Sequence, residues 1–286
     1  ISILYFMEKT KKINVIHYSS HIKRYFFVNK MKEFQIKEFD LDLLNPNENN
    51  YLRNGQGGSK IVVIGKPGSG KTTLVSSLLY EKRNEIPSAF VISGTEDSSG
   101  YYSKILPSSF VHNKFSEDIV ENFITRQKIA KKHLKNPWSV LLLDDCADDV
   151  KIFNRPLFHN LFKNGRHFSM FFILSLQYSL DIKPAIRTNI DTTFILRESN
   201  LRNRKSLYEN YAGVIPTFQE FCQLLDEVTQ DYTALVIHNA TTSNKLEDCV
   251  FYYKAPLIPD NFKFGCKDVW KFHNHRYNQN YEESFV

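Results

Sequence analysis

One stretch of the chain has residue types and spacing suited to holding a polyphosphate. Gly65-Lys66-Pro67-Gly68-Ser69-Gly70-Lys71-Thr72 fits the pattern G-x-x-x-x-G-K-[ST]. Glycines let successive backbone N–H groups turn inward around anionic oxygens. Lys71 would reach the β- and γ-phosphates, and the Thr72 hydroxyl would ligate Mg2+. With Thr73, the residues Gly65, Lys66, Pro67, Gly68, Ser69, Gly70, Lys71 and Thr72 form the candidate nucleotide-binding set.

Phosphate chemistry also needs a carboxylate near that loop. "WSVLLLDDC" supplies two, Asp144 and Asp145, after an apolar run. Asp144 would share Mg2+ with Thr72, through water, and Asp145 would orient or deprotonate an attacking water. Apolar strands often run into acidic turns, so the pair gains its meaning from the upstream loop. Asp148 and Asp149 read as helix-start or surface acids. A third element, "SMFFILSLQYS", ends in Gln177, whose amide could hydrogen-bond the γ-phosphate or the attacking water. Arg166, in "NGRH", stands before that strand and so at the opposite edge of the sheet from Gln177. It is either a surface arginine in a helix-ending loop or an arginine finger acting in trans on a neighbouring subunit. Arg187, in "AIRTNID", competes for the same role.

These groups need a scaffold that gathers strand ends. Apolar runs predict strands at 61–64, 89–93, 140–144, 170–176, 192–196, 233–238 and 249–253. Helical patterns fall near 71–82, 116–135, 155–164, 201–211 and 217–227. Continuously apolar strands alternating with helices predict an α/β fold, a mostly parallel central sheet with helices on both faces. Ligands of such sheets bind beyond the carboxyl ends of the strands, where Asp144, Asp145 and Gln177 fall. In the helix at 116–135, Ser116 is the expected cap and Glu117 and Asp118 suit the positive end of its dipole. Val120, Phe123, Ile124, Gln127 and Leu134 share one face, and Lys128, Lys131, Lys132 and Lys135 the other. That lysine stripe is either a solvated face or a track for DNA phosphates.

Composition narrows the function classes. The chain has 286 residues and 42% hydrophobic content, enough for one large α/β domain with a sizeable core. Its longest apolar run, "FSMFFILSL", is far short of the ~18–20 residues of a membrane span, so no integral membrane segment is expected. The net charge is +6, but residues 1–30 hold six Lys and Arg against Glu8, leaving +1 for the remainder. Residues 1–30 therefore read as a basic N-terminal extension, with Met7 and Met31 as candidate starts, and its charges follow its apolar residues, the reverse of a secretory signal. Residues 31–59 read as an N-terminal segment and polar linker, 60–258 as the domain, and 259–286 as a polar C-terminal tail in which His273 and His275 are solvated. Cys146, Cys222, Cys249 and Cys266 have no metal-binding spacing and read as reduced thiols of an intracellular protein. Guanine-specific proteins carry N-K-x-D, whereas "NKFS" has Ser116 in place of the acid and precedes the acid pair, which leaves ATP as the expected nucleotide.

The succession "GKPGSGKTTL…LLLDD…FKNGRH…ILSLQYS…IRTNIDTTFILRE…LVIHNATTSNKLEDCVFYYKA" resembles the poxvirus-type genome-packaging ATPases of nucleocytoplasmic large DNA viruses. These belong to the FtsK/HerA superfamily of P-loop DNA pumps, and the resemblance covers about residues 31–258. It implies a RecA-like P-loop NTPase core, with Lys71, Thr72, Asp144, Asp145, Gln177 and Arg166 at the matching positions. It further implies self-association into a ring around double-stranded DNA, ATP hydrolysed between subunits, and a genome stepped into a capsid. Capsid or inner-membrane proteins of the virion would be partners, and the host cytoplasm or the virion the location. Many superfamily members have Glu where this chain has Asp145, so the shorter arm shifts any water it holds. Arg202, Arg204, Lys205 and the lysine stripe are candidate DNA contacts. Two rival functions remain: a P-loop small-molecule kinase, which needs an arginine-bearing lid, and a nucleotide-gated virion assembly factor with little hydrolysis.

Overall fold

The computed structural model describes residues 36–44, 59–146, 152–153, 155–178 and 182–277, with the side chain of Arg166 outside the description. The expected N-terminal extension, most of the linker, and Asp148 and Asp149 lie outside the described residues.

The strands in chain order are β1 (Lys37–Glu38), β2 (Lys60–Ile64), β3 (Ser88–Ser93), β4 (Val111–His112), β5 (Ser139–Asp144), β6 (Met170–Leu176), β7 (Thr192–Ile195), β8 (Thr233–His238) and β9 (Val250–Lys254). The helices are α1 (Lys71–Lys82), α2 (Glu96–Ser99), α3 (Tyr101–Ile105), α4 (Glu117–His133), α5 (Pro156–Asn164), α6 (Pro184–Arg187), α7 (Leu201–Tyr211), α8 (Phe218–Val228), α9 (Leu246–Cys249) and α10 (Lys267–Arg276). Every element expected from the sequence is present within two residues of its expected bounds.

One sheet runs in the order β1-β9-β8-β7-β2-β6-β5-β3-β4. All neighbouring pairs are parallel except β7 with β8 and β8 with β9, so β8 alone runs backwards. The apolar runs have no polar alternation because both faces are covered. Ile61, Val63, Val140, Leu142, Phe171 and Ile173 join one core with Leu74, Val75, Leu78 and Leu79 of α1. Val62, Ile64, Leu141, Leu143, Phe172 and Leu174 join the other, against α4, α5, α7 and α8. Successive strand residues point to opposite faces, so each central strand feeds both layers.

Two local expectations fail in α4. Ser116 is its N-cap, but its side chain accepts no capping bond. Leu134, expected to share the face of Val120, Phe123, Ile124 and Gln127, is 58% exposed, because the helix ends at His133 and Leu134 turns into extended backbone. Beyond residue 258, Phe262 and Phe264 are buried, and Phe264 N–H donates to Ile105 O at 2.8 Å. Helix α10 follows, tied down by Trp270 Nε1 donating to Phe264 O at 3.0 Å. His273 is buried rather than solvated, with Nδ1 at 2.9 Å from Ser109 Oγ.

Candidate nucleotide site

The loop between β2 and α1 is shaped by its glycines. Gly68 and Gly70 have φ of 75° and 99°, a region closed to most side chains, and Gly70 is the last residue before α1. Ser69 closes the turn, its Oγ donating to Lys66 O at 2.7 Å and its N–H to the same oxygen at 3.1 Å. The strand before the loop stays in register to its end: Gly65 N–H donates to Leu176 O at 3.1 Å and Leu196 N–H to Ile64 O at 2.9 Å. The loop therefore sits at the carboxyl edge of the sheet, with the end of β6 on one side and the end of β7 on the other.

The acid pair reaches the same edge from β5. Lys71 is buried at the start of α1, and its Nζ donates to Gly65 O at 2.8 Å and lies 3.3 Å from Asp145 Oδ2. Asp145, with φ of 44°, turns the chain sharply after β5. Asp144 is 4% exposed and accepts a hydrogen bond from the Tyr102 hydroxyl at 2.7 Å on Oδ2. Its Oδ1 is buried without a hydrogen-bond partner among the described residues, as is Oγ of Ser175, its register neighbour on β6. Burial pushes the Asp144 carboxyl above the ordinary carboxylate range, and the neighbouring Asp145 charge adds to this. The Ser175 hydroxyl close beside it, the Tyr102 donor and the Lys71 charge oppose the shift. The Tyr102 phenol is raised well above its usual range by burial first and by the Asp144 charge second.

The motifs that the sequence singled out divide into two groups. The loop, Lys71, Asp144, Asp145 and the half-buried Gln177 at the end of β6 converge on one edge. The Arg166 backbone lies in the 3-10 turn Gly165–Phe168 before β6, at the amino edge and away from this loop. Arg187 is committed locally, its Nη1 donating to Ile182 O at 2.6 Å and its guanidinium 6.0 Å from the Tyr211 ring centre. Of the proposed DNA contacts, Arg204 is engaged by Asp226 through two bonds of 2.9 and 2.5 Å, while Arg202 and Lys205 are exposed. Lys128, Lys131, Lys132 and Lys135 form an exposed stripe along α4 and just beyond it.

Three participants were not read from the sequence. Tyr102 caps the buried oxygen of Asp144 from α3, which Glu96 holds by accepting from Tyr102 N–H at 3.1 Å and Ser103 N–H at 2.9 Å. Glu198, just past β7, pairs with Lys66 of the loop at 2.6 Å, and its carboxyl is held below the ordinary range: burial opposes this, but the Lys66 and local backbone bonds outweigh it. Gly94, just past β3, donates its N–H to Asp144 O at 3.1 Å, and a Cβ there would stand 2.3 Å from Asp145 O. An acid following a strand, as in "ILRES", was a legible signal for Glu198; a tyrosine in a short polar helix carried none.

A mostly parallel sheet with helices on both faces, a glycine loop leading into a helix, and an acid pair at the end of a nearby strand define a RecA-like P-loop α/β fold. Within that class, residues 49–253 match the Poxvirus A32 protein family, and the chain belongs to it. It is 54% identical over 235 residues to protein 088R of Invertebrate iridescent virus 3, covering 81% of this chain and 90% of that one. Protein 075L of Invertebrate iridescent virus 6 is 50% identical over 256 residues, covering 88% of this chain and 98% of its own. Among solved structures, the genome packaging NTPase B204 of Sulfolobus turreted icosahedral virus 2, in complex with AMPPCP, superposes with a TM-score of 0.53 at 16% identity, over 70% of this chain and 99% of B204. The family resemblance and the fold class expected from the motif order are both borne out. Among the described residues, no helix is long and apolar enough to cross a membrane.

Proposed function

We propose that this protein is an ATP-driven translocase of double-stranded DNA that packages a viral genome into a capsid, hydrolysing ATP between subunits of a ring. The observation that carries the nucleotide part is the carboxyl-edge cluster: Lys71 at 3.3 Å from Asp145, with the buried, unpartnered Oδ1 of Asp144 beside them. A buried carboxylate oxygen with only the Ser175 hydroxyl beside it, and no hydrogen bond of good geometry, is costly unless a cation or a proton completes it. Thr72 and Asp144 are the residues that would hold Mg2+, which when bound supplies positive charge to the β- and γ-phosphate oxygens.

The chain's own groups carry the remaining steps. Backbone N–H groups of residue 66 and residues 68–73 bind the phosphates, Pro67 having none to offer, aided by the positive end of α1. Lys71 exchanges its Asp145 partner for the β- and γ-phosphates, which releases Asp145. Asp145 then orients water and takes its proton as the water oxygen bonds to the γ-phosphorus. The bond to the β–γ bridging oxygen breaks, giving ADP and phosphate. Gln177 hydrogen-bonds the γ-phosphate or that water, and Arg166 of a neighbouring subunit meets the charge that develops.

Membership of the poxvirus A32 family and the fold shared with a viral genome packaging NTPase support the coupling to DNA. Arg202, Lys205 and the α4 lysine stripe are the remaining candidates for duplex contact, and they would touch phosphates rather than bases, so sequence preference would be weak. Capsid or inner-membrane proteins of the virion are the proposed partners, at the assembly site in host cytoplasm or in the virion. The test is ATP turnover with and without long duplex DNA, on material of measured oligomeric mass. Stimulation by DNA is the expected result. Turnover that ignores DNA and requires a small acceptor would instead establish the kinase, and binding without turnover the assembly factor.

A further inference from the structure

The turn between α8 and β8 holds an aromatic ring in a costly backbone. Asp231 and Tyr232 have φ of 51° and 61°, two successive non-glycine residues in the left-handed region. Residues keep such conformations where their surroundings over-determine them, commonly at ligand sites. The turn is closed by Thr233 N–H donating to Gln230 O at 3.0 Å. Tyr232 is 67% exposed. Because β8 runs antiparallel to β7, with Leu235 opposite Ile195, the start of β8 stands at the carboxyl edge where the phosphate loop lies. A Cβ built on Gly70 would sit 3.0 Å from Tyr232 Cδ1 and 3.7 Å from Cγ. One edge of the ring thus abuts the last glycine before Lys71, and the rest of it is open.

Strand order gives a bound triphosphate a direction. Asp144 ends β5 and Asp145 follows it on one flank of the loop, and Tyr232 precedes β8 on the other, in the order β8-β7-β2-β6-β5. A triphosphate whose terminal phosphate faces the acids directs its nucleoside towards β7 and β8. On that flank the Lys66–Glu198 pair and the contact of Lys66 Nζ with Ser199 Oγ at 3.4 Å hold the loop against the segment after β7. We propose that Tyr232 is the nucleobase platform of this site, its ring stacking on the base of the nucleoside triphosphate. The assignment rests on the nucleotide reading above and extends it. A ring offers its π face to any base and reads no hydrogen-bonding edge, so discrimination between ATP and GTP is weak.

Calorimetric titration separates the platform from the loop, using ATP and inorganic tripolyphosphate as ligands for wild type, Tyr232→Ala and Tyr232→Phe. Loss of one base–aromatic stack weakens ATP binding by roughly tenfold in Tyr232→Ala. Tripolyphosphate affinity stays within about twofold of wild type, and Tyr232→Phe holds ATP within a similar margin. Tyr232→Trp adds a second readout, quenching of indole fluorescence by ATP but not by tripolyphosphate. Equal weakening of both ligands in Tyr232→Ala overturns the platform and makes the ring a prop for Gly70. Undiminished ATP binding in that variant overturns it as well. Wild type that binds ATP no tighter than tripolyphosphate removes the platform and leaves the phosphate site standing, whereas wild type that binds neither removes both.

Discussion

Replacing Tyr102 by Phe removes a single oxygen from the floor of the site and keeps the ring that fills it. The phenol donates to Asp144 Oδ2 at 2.7 Å from a residue 1% exposed. A hydrogen bond to a charged acceptor contributes about 1.5–3 kcal/mol, a neutral one about 0.5–1.5 kcal/mol. The adjacent Tyr101 is the internal control, since its hydroxyl meets the neutral Ser76 Oγ at 2.8 Å. Urea unfolding at neutral pH is expected to show a loss of about 2 kcal/mol for Tyr102→Phe and about 1 kcal/mol for Tyr101→Phe. The pH dependence follows from the direction of the Asp144 shift. Burial raises its carboxyl above the ordinary range, so between that range and the raised value the native state binds more protons than the unfolded one. Stability contributed at this residue therefore increases as pH falls through the window. Tyr102 pulls the carboxyl down, so its removal raises it further and enlarges the cost of keeping Asp144 charged. The deficit of Tyr102→Phe is accordingly full where Asp144 is charged and shrinks as pH falls through the raised value towards about 4, the ordinary carboxylate value. Equal losses for the two variants, or a Tyr102→Phe deficit constant over that range, would refute the idea that Tyr102 supports a charged Asp144.

Three other outcomes are open to measurement. Gly94→Ala brings a Cβ to 2.3 Å from Asp145 O, so the backbone of the acid pair must move; a loss of about 1–3 kcal/mol and a large fall in ATP turnover are expected, and normal turnover would show that the position of Asp145 is not used. Lys71→Ala and Arg166→Ala are each expected to lack ATP turnover, and mixing them should restore part of it, because some interfaces then pair an intact loop with an intact arginine; no rescue despite demonstrated subunit exchange counts against action in trans. Burial lowers the His238 imidazole against the opposing charge of Asp191, so the native state resists a proton that the unfolded chain accepts below about 6.5. Stability present above that pH is lost on acidification, and His238→Gln should flatten this part of the unfolding profile; an unaltered slope would assign the acid sensitivity to other groups.

Elements with a strong repeating signal were legible. The buried strands β2, β5 and β6 are unbroken apolar runs, and α1, α7 and α8 lie within a residue of their expected bounds. The elements that escaped are short or aperiodic. β1 and β4 have two residues each, α2 and α3 four and five, and each exists through a neighbour rather than through its own pattern. Helix α10 escaped for a different reason: its polar composition hid an anchoring made by Phe262 and Phe264, which lie in irregular backbone before it, and by its own Trp270. His273 and Leu134 were misassigned because burial depends on where a helix docks and where it stops.

The amino-acid sequence by itself determined the glycine loop, the acid pair, the glutamine at a strand end and the alternation of strands with helices. All of these are local, set by glycine conformation, side-chain chemistry and apolar period within some twenty residues. Only the tertiary structure decided which distant residues complete them. Tyr102 reaches Asp144 across 42 residues, Lys66 meets the Glu198–Ser199 segment across 133, and Tyr232 comes to rest beside Gly70 because β8 runs against the sheet. Those meetings depend on strand order and on the hand of the connections, which no short-range pattern encodes, and on close packing that leaves each such side chain a single place to go.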